Sequence, residues 1–306
     1  MICYGTVLKG EVETVEFSFT NTIDRSTVKA LLKRHGVSKR FLSHIKFDGG
    51  EILVNGMERN VLFPLQVDDV VTIITPVEQG TDLLIPEDID PEVVFEDDHY
   101  LIVNKPAGRT SITGRLHPTG AMSNIVKGYI VRKKYEDQTV HIITRLDRDT
   151  SGLMIFAKHS LAHSLIVHPK YKDSVTKRYY AIIHADDSLP KSGEINLPIG
   201  RVETSIIERR VTPDGKEART SYEVVAEKNG LMQLDVVLHT GRTHQIRVHF
   251  SHLGHILVGD ELYGGNHDLI GRQALHCHHL QFVHPFTDEL IDIELEMPED
   301  MQKLMQ

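Results

Sequence analysis

Three groups of residues in this chain have the types and spacing of reactive sites. The first centres on Asp147, within Thr144-Arg-Leu-Asp-Arg-Asp-Thr-Ser-Gly152. This aspartate stands between Arg145 and Arg148, and Thr-Ser-Gly marks a polar turn after it. The apolar run Leu153-Met-Ile-Phe-Ala157 follows and predicts a buried strand. A carboxylate at the lip of a core strand is displayed by a rigid scaffold, as a nucleophile or general base must be. A structural Arg–Asp pair in a tight turn would leave the same local sequence.

The second group is Thr240-Gly-Arg-Thr-His-Gln-Ile-Arg-Val-His249. Alternating Leu234, Val236 and Leu238 predict a strand that ends at Thr240-Gly241. Thr243 is placed to cap a helix carrying Ile246, Phe250 and Leu253, with Gly254 as its C′ residue. His244, Arg247 and Ser251 share a neighbouring stripe, and Arg242 precedes them. Two arginines beside a positive helix N-terminus suit an anion, although a solvated polar face is the plainer reading.

The third group is Lys177-Arg-Tyr-Tyr-Ala-Ile-Ile183, a strand that starts basic. Period two puts Tyr179 and Ala181 on one face and Tyr180 and Ile182 on the other. A tyrosine reaching a cleft can stack on a base or handle a proton, whereas two core tyrosines need no function. Leu275-His-Cys-His-His279 resembles a metal cluster, but no second Cys or His group has matching spacing, so zinc is not supported. Dinucleotide, Walker and serine-elbow motifs are absent.

The elements that must position these groups come from a chain of 306 residues, 40% hydrophobic and 25% charged, enough for two domains. Two cysteines, Cys3 and Cys277, suit a reducing compartment. With no signal-peptide pattern and no apolar run of roughly 18 residues, the expectation is a cytoplasmic protein without a membrane partner. The net charge of −9 is uneven. Residues 78–98 hold nine acidic and no basic residues, and 287–306 hold seven acidic and one basic. What remains is net positive, so a polyanionic partner is not excluded.

Val15, Phe17 and Phe19 alternate as a half-buried strand, and Val28, Leu31 and Leu32 then set a helical period that Gly36 stops. Ser38 caps a second helix through Phe41, Leu42 and Ile45, and Glu51–Gly56 and Val67–Ile74 read as strands. The acidic stretch with Pro86 and Pro91 divides residues 1–80 from 93–306, with 81–92 as linker. Beyond it, Asn229-Gly230 predicts a hairpin, Pro213-Asp214-Gly215 a turn, and 120–134, 158–168 and 243–253 helices. Strands and helices mix without regular βαβ alternation, which points to an α+β fold.

Taken together, the motifs resemble the RluA/RluD-type pseudouridine synthases over roughly residues 93–286. Asn104-Lys-Pro-Ala-Gly108, Arg145-Leu-Asp-Arg-Asp-Thr-Ser-Gly152, Lys177-Arg-Tyr179 with Ala181, Gly241–His249 with Leu253-Gly-His255 and Gly259-Asp260, and Leu275-His276 through Pro285 occur in family order. Residues 22–76, with Ser38-Lys39-Arg40, resemble the small RNA-binding domain shared with ribosomal protein S-four. Thr144 stands where the family usually has His, and Ile256 where it usually has Pro.

The resemblance implies a mixed, largely antiparallel central sheet with flanking helices and a cleft across it, plus a small N-terminal α/β RNA-binding domain. It implies an isomerase that converts uridines to pseudouridine, in large-subunit rRNA before tRNA, with no cofactor and no metal. Asp147 would start glycosidic cleavage, Arg247 would pair with it, and Tyr179 would stack on the target ring or handle its proton. Arg145, Arg148, Lys177, Arg242, His244, Lys39 and Arg40 would contact RNA. A monomer is expected. A non-catalytic RNA-binding factor on the same fold is the competing reading, and a metal-dependent hydrolase the third.

Overall fold

The structure is a computed structural model that describes residues 2–9, 12–76, 78, 80, 83–114 and 117–306. The N-terminal part forms a five-stranded antiparallel sheet in the order Ile2–Lys9, Val12–Thr20, Val70–Pro76, Glu51–Val54 and Met57–Glu58. Val15, Phe17 and Phe19 are buried on one face, as their alternation requires, with Val71 and Ile73 beside them. Helices Val28–Arg34 and Lys39–Phe47 cover that face through Leu31, Leu32, Phe41 and Ile45. Ser38 caps the second helix by accepting from the Phe41 N–H. Asn55 and Gly56, with φ of 50° and 80°, close the short hairpin.

The second sheet has ten strands. Its path runs Ser192–Asn196, Arg219–Lys228, Leu231–Leu238, Thr176–His184, Leu275–Val283, Ser151–Ala157, Tyr100–Lys105 and Glu92–Glu96. All neighbours along it are antiparallel except Ser151–Ala157 against Leu275–Val283, which pair in parallel only at Ser151–His276 and Gly152–Cys277. The hairpin at Asn229-Gly230 forms as the dipeptide predicts, with φ of 53° and 74°. Helices Met122–Lys133, Ser160–Ile166 and Gln245–His252 flank the sheet, giving the mixed α+β architecture.

Two local expectations are corrected. Thr150-Ser-Gly152 is not the turn: Ser151 and Gly152 already belong to the strand, and the turn closes earlier, where Thr150 N–H donates to the Asp147 carbonyl at 3.2 Å. Gly152 serves a different purpose, because a Cβ there would lie 2.2 Å from the Cys277 carbonyl oxygen. The helix of the Thr240–His249 group is not capped by Thr243. It starts at Gln245, after His244 in the left-handed conformation with φ 57°.

The acidic segment is strapped to the second unit where it is described; residues 81 and 82 of it lie outside the described residues. Asn124 Nδ2 donates to the Ile85 carbonyl at 2.8 Å, and Arg132 donates to the carbonyls of Glu87 and Ile89 at 2.9 and 2.7 Å. Gly128 makes room for this strap, since a Cβ there would meet the Glu87 carbonyl oxygen at 1.8 Å. One continuous cluster of buried apolar side chains runs through both sheets. Where they meet, the Phe17 and His159 rings are 5.1 Å apart and Ser164 Oγ donates to Ser38 Oγ at 3.0 Å.

Candidate active site

The strand Ser151–Ala157 is buried along its whole length, so the chain entering it is held by the sheet. Asp147 sits four residues before that strand, in a loop fixed on both sides. Ser111 Oγ accepts from the Leu146 N–H at 2.9 Å and donates to the Leu146 carbonyl at 2.6 Å. Thr144 Oγ1 accepts from the Ile155 N–H at 3.0 Å, so this departure from the family pattern holds the loop to the strand. On the other side, the fully buried Lys105 donates to the carbonyls of Arg148, Arg109 and Pro106 at 2.8, 2.7 and 2.8 Å. Burial pulls the Lys105 pKa down to about 7, against the raising pull of Asp149 and Asp147. Three acceptors require three N–H donors, which the ammonium form supplies.

The helix Gln245–His252 presents the second group. Gln245 locks its entry: Oε1 accepts from Thr240 Oγ1 and Arg242 N–H at 2.8 and 3.0 Å, while Nε2 donates to the Arg219 carbonyl and Thr220 Oγ1 at 3.0 and 2.9 Å. His249 points into the same support, with its nitrogens 2.9 Å from Thr220 Oγ1 and the Leu197 carbonyl. Arg247 is left facing the loop. Its Nη1 lies 3.3 Å from Asp147 Oδ2, while Nε and Nη2 grip Asp260 at 2.8 and 2.7 Å. Burial works against this guanidinium charge, but Asp260 and then Asp147 outweigh it and raise its pKa. The other Asp147 oxygen faces His244, with Nε2 at 3.9 Å. Burial lowers the His244 pKa, while Asp147 acts in the opposite direction.

These groups line an open cleft of about 610 Å³, together with Tyr179, Lys177, Arg145, Arg148 and Arg242. Tyr179 is buried between Val236 and Cys277 in the sheet, and burial raises its pKa well above the usual value. Its neighbour Tyr180 points the other way and stacks on His278, with centroids 3.6 Å apart. Arg145 is exposed at the lip. Arg148 is also exposed, but its guanidinium is paired in bidentate fashion with Asp149. Arg242 keeps one N–H on the Glu217 carbonyl at 2.8 Å.

The structure thus gathers Asp147, Tyr179, Arg247, His244, Arg145, Arg148, Lys177 and Arg242 around one cleft. Lys39 and Arg40 are exposed on the N-terminal helix and are not among the cleft-lining residues. The helix start that suggested an external anion site holds Arg247 against the protein's own carboxylates. Three supporting residues had no role read from the sequence. Lys105 and Asp260 lie in motifs that the resemblance quotes, but Ser111 carries no local signal.

The histidines of residues 275–279 disperse. His276 Nδ1 is 2.9 Å from Ser151 Oγ, His278 lies against Tyr180 and Asp235, and His279 pairs with Asp292. Among the described residues no group of three His, Cys, Asp or Glu side chains is placed to share a metal ion. No helix among them is long and apolar enough to cross a membrane.

A family model described as RNA pseudouridylate synthase matches residues 99–252, the span that carries the Asp147, Tyr179 and Arg247 motifs. The chain is 43% identical to the uncharacterized RNA pseudouridine synthase YjbO of Bacillus subtilis over 280 residues, covering 91% of this chain and 98% of that protein. It is 37% identical to the ribosomal large subunit pseudouridine synthase D of Zymomonas mobilis, over 72% of this chain and 73% of that one. In fold it is similar to human RNA pseudouridylate synthase domain containing 1, with a TM-score of 0.55 at 22% identity, over 71% of this chain and 85% of that one. With the motif residues placed around one cleft of that fold, the chain belongs to the RNA pseudouridine synthases, a family of isomerases.

Proposed function

We propose that this enzyme modifies uridine in large-subunit ribosomal RNA, and that Asp147 is the residue that opens the glycosidic bond. The placement of the Asp147 carboxylate against Arg247, in a cleft rimmed by further arginines, carries the assignment. The choice of RNA rests on relatives named as large-subunit enzymes, at 32–37% identity.

The reaction breaks the bond between ribose C1′ and uracil N1, turns the ring, and joins C1′ to C5. The C5 hydrogen leaves as a proton and N1 gains one, so atoms balance without redox change, cofactor or metal. A target base must leave its stack to reach a carboxylate at the floor of a cleft, which costs a few kcal/mol and favours unpaired RNA. Asp147 acts on the nucleoside while Arg247 orients its carboxylate, a contribution that is largely positional. Tyr179, on the buried side of the cleft, supports the uracil ring. Arg145, Arg242 and Lys177 meet the phosphates. Residues 1–80 add a second grip through Lys39 and Arg40, in a monomeric cytoplasmic enzyme.

Asp147→Asn should fold and bind RNA while forming no pseudouridine, read by carbodiimide-stop mapping. Wild-type conversion by that variant overturns the catalytic assignment. Comparing pseudouridine maps of total RNA from wild-type and deletion cells should show a lost position in large-subunit rRNA. A position lost only in tRNA overturns the choice of substrate.

A further inference from the structure

Behind the Asp147 carboxylate, one tyrosine touches both groups that flank it. Tyr263 lies in the short helical turn Glu261–Tyr263, just after Asp260. Its ring sits beneath the Arg247 guanidinium, 5.0 Å from centroid to Cζ. Its hydroxyl is 2.9 Å from His244 Nδ1 and accepts from the Arg209 backbone N–H at 3.2 Å. His244 itself is held in the left-handed region at φ 57°, a conformation that costs energy for a residue with a Cβ.

Among the protein contacts described, one order of hydrogens gives every group a partner. Because Arg209 N–H donates into the phenol oxygen, the phenol hydrogen is free to donate to His244 Nδ1. Burial pushes the Tyr263 pKa up to about 12, so that hydrogen stays in place at neutral pH. A neutral imidazole that accepts at Nδ1 carries its own hydrogen at Nε2. Nε2 is the nitrogen facing Asp147 Oδ1, at 3.9 Å. That separation is longer than a direct hydrogen bond and can tighten when substrate closes the site.

We propose that Tyr263 is a positioning residue for the reaction: its hydroxyl fixes the tautomer of His244 so that an N–H, not a lone pair, faces Asp147. Asp147 is then flanked by two donors, His244 Nε2–H toward Oδ1 and Arg247 Nη1–H on Oδ2. The charged groups around His244 are Asp147, Arg247, Arg209 and Asp260, and of these Arg247 is the one whose guanidinium lies over the Tyr263 ring. Without the hydroxyl, the other tautomer turns a lone pair toward the carboxylate and repels it. The consequence for turnover rests on Asp147 being the residue that opens the bond, while the tautomer itself does not.

The test uses the full-length chain labelled with nitrogen-15 in histidine, with the His244 signals assigned by their loss in His244→Gln. At neutral pH the wild type should show Nε2 protonated and Nδ1 unprotonated. Tyr263→Phe keeps the ring under Arg247 and removes only the hydroxyl. It should mix the two tautomers and slow single-turnover conversion about 10-fold, with RNA affinity within about twofold, because a mis-set histidine tautomer affects the chemical step. A wild-type spectrum with the proton on Nδ1 overturns the proposal, as does a Tyr263→Phe rate equal to wild type. If Tyr263→Phe does not fold, the wild-type spectrum alone decides. Activity surviving in Asp147→Asn would sink the catalytic assignment and leave the tautomer result standing, so the two failures are distinguishable.

Discussion

Arg247 gives Asp260 two hydrogen bonds, at 2.8 and 2.7 Å, and gives Asp147 only one, at 3.3 Å. The tighter grip belongs to the fully buried carboxylate, so Asp260 fixes the guanidinium and Asp147 meets it already in place. Removing one partner of a buried pair strands the other charge. Asp260→Ala should therefore destabilise the fold by about 3–5 kcal/mol. Its turnover should fall more than its RNA affinity. Urea unfolding and single-turnover rates check both; stability within experimental error of wild type would refute the anchoring role.

Lys105 ties the loop that carries Asp147 from behind. Lys105→Met leaves three carbonyls without their donor, and each unsatisfied buried group costs about 1–3 kcal/mol. The variant should unfold at markedly lower denaturant concentration and turn over slowly. Burial pulls the Lys105 pKa down to about 7, and a neutral amine can serve only two of the three carbonyls. Turnover should decline on the alkaline side of that value, and a profile flat to pH 9 would contradict it.

Gly152 stands where the sheet changes direction. Its φ is 115° and a Cβ would lie 2.2, 2.6 and 2.7 Å from backbone atoms of Cys277. Backbone cannot swing aside as a side chain can, so Gly152→Ala should cost at least about 3 kcal/mol or prevent folding. Soluble expression and thermal unfolding report the outcome. A variant as stable as wild type would mean that the two strands do not approach this closely.

Acid should unfold the enzyme through two histidines, the buried His276 and the half-buried His99. Burial, the largest cause for each, lowers both His99 and His276 to about 4. The unfolded value is about 6.5. Between these values the unfolded chain holds protons that the folded chain does not, so stability falls as pH drops from about 6.5 toward 4. Above about 6.5 both states are neutral and this dependence vanishes. Each group contributes on the order of a few kcal/mol over the window. Unfolding free energies measured across pH 4–7 should show this slope, reduced in His276→Asn, and an equal slope in the variant would remove His276 from the account.

Chelation should not affect turnover. The histidines that mimic a metal motif are already occupied by Ser151, Tyr180 with Asp235, and Asp292. Pseudouridine formation after exhaustive EDTA treatment should match the untreated enzyme, and loss restored by added zinc would revive the hydrolase-like reading.

Local chemistry made much of this legible. The Asn229-Gly230 hairpin, the Ser38 cap and the alternation at Val15, Phe17 and Phe19 are short-range effects that a sequence states directly. Gly152 and Thr243 misled because their local signals, turn and cap, compete with tertiary demands that a neighbouring sequence does not contain. Gly152 is required by Cys277, 125 residues away, and the helix start is set by the left-handed turn at His244. Ser111 carried no signal because its task is to hold the backbone of Leu146.

By itself, the sequence determined which groups could do the chemistry: an aspartate, a tyrosine and an arginine in ordered motifs that mark the family. Only the tertiary structure decided how they are held. Pairing Asp147 with Arg247 closes a separation of 100 residues, and that contact exists because Asp260, Gln245 and the buried strand Ser151–Ala157 fix both ends. Motifs report which side chains are present, whereas distance and tautomer depend on packing that forms only when the whole sheet closes.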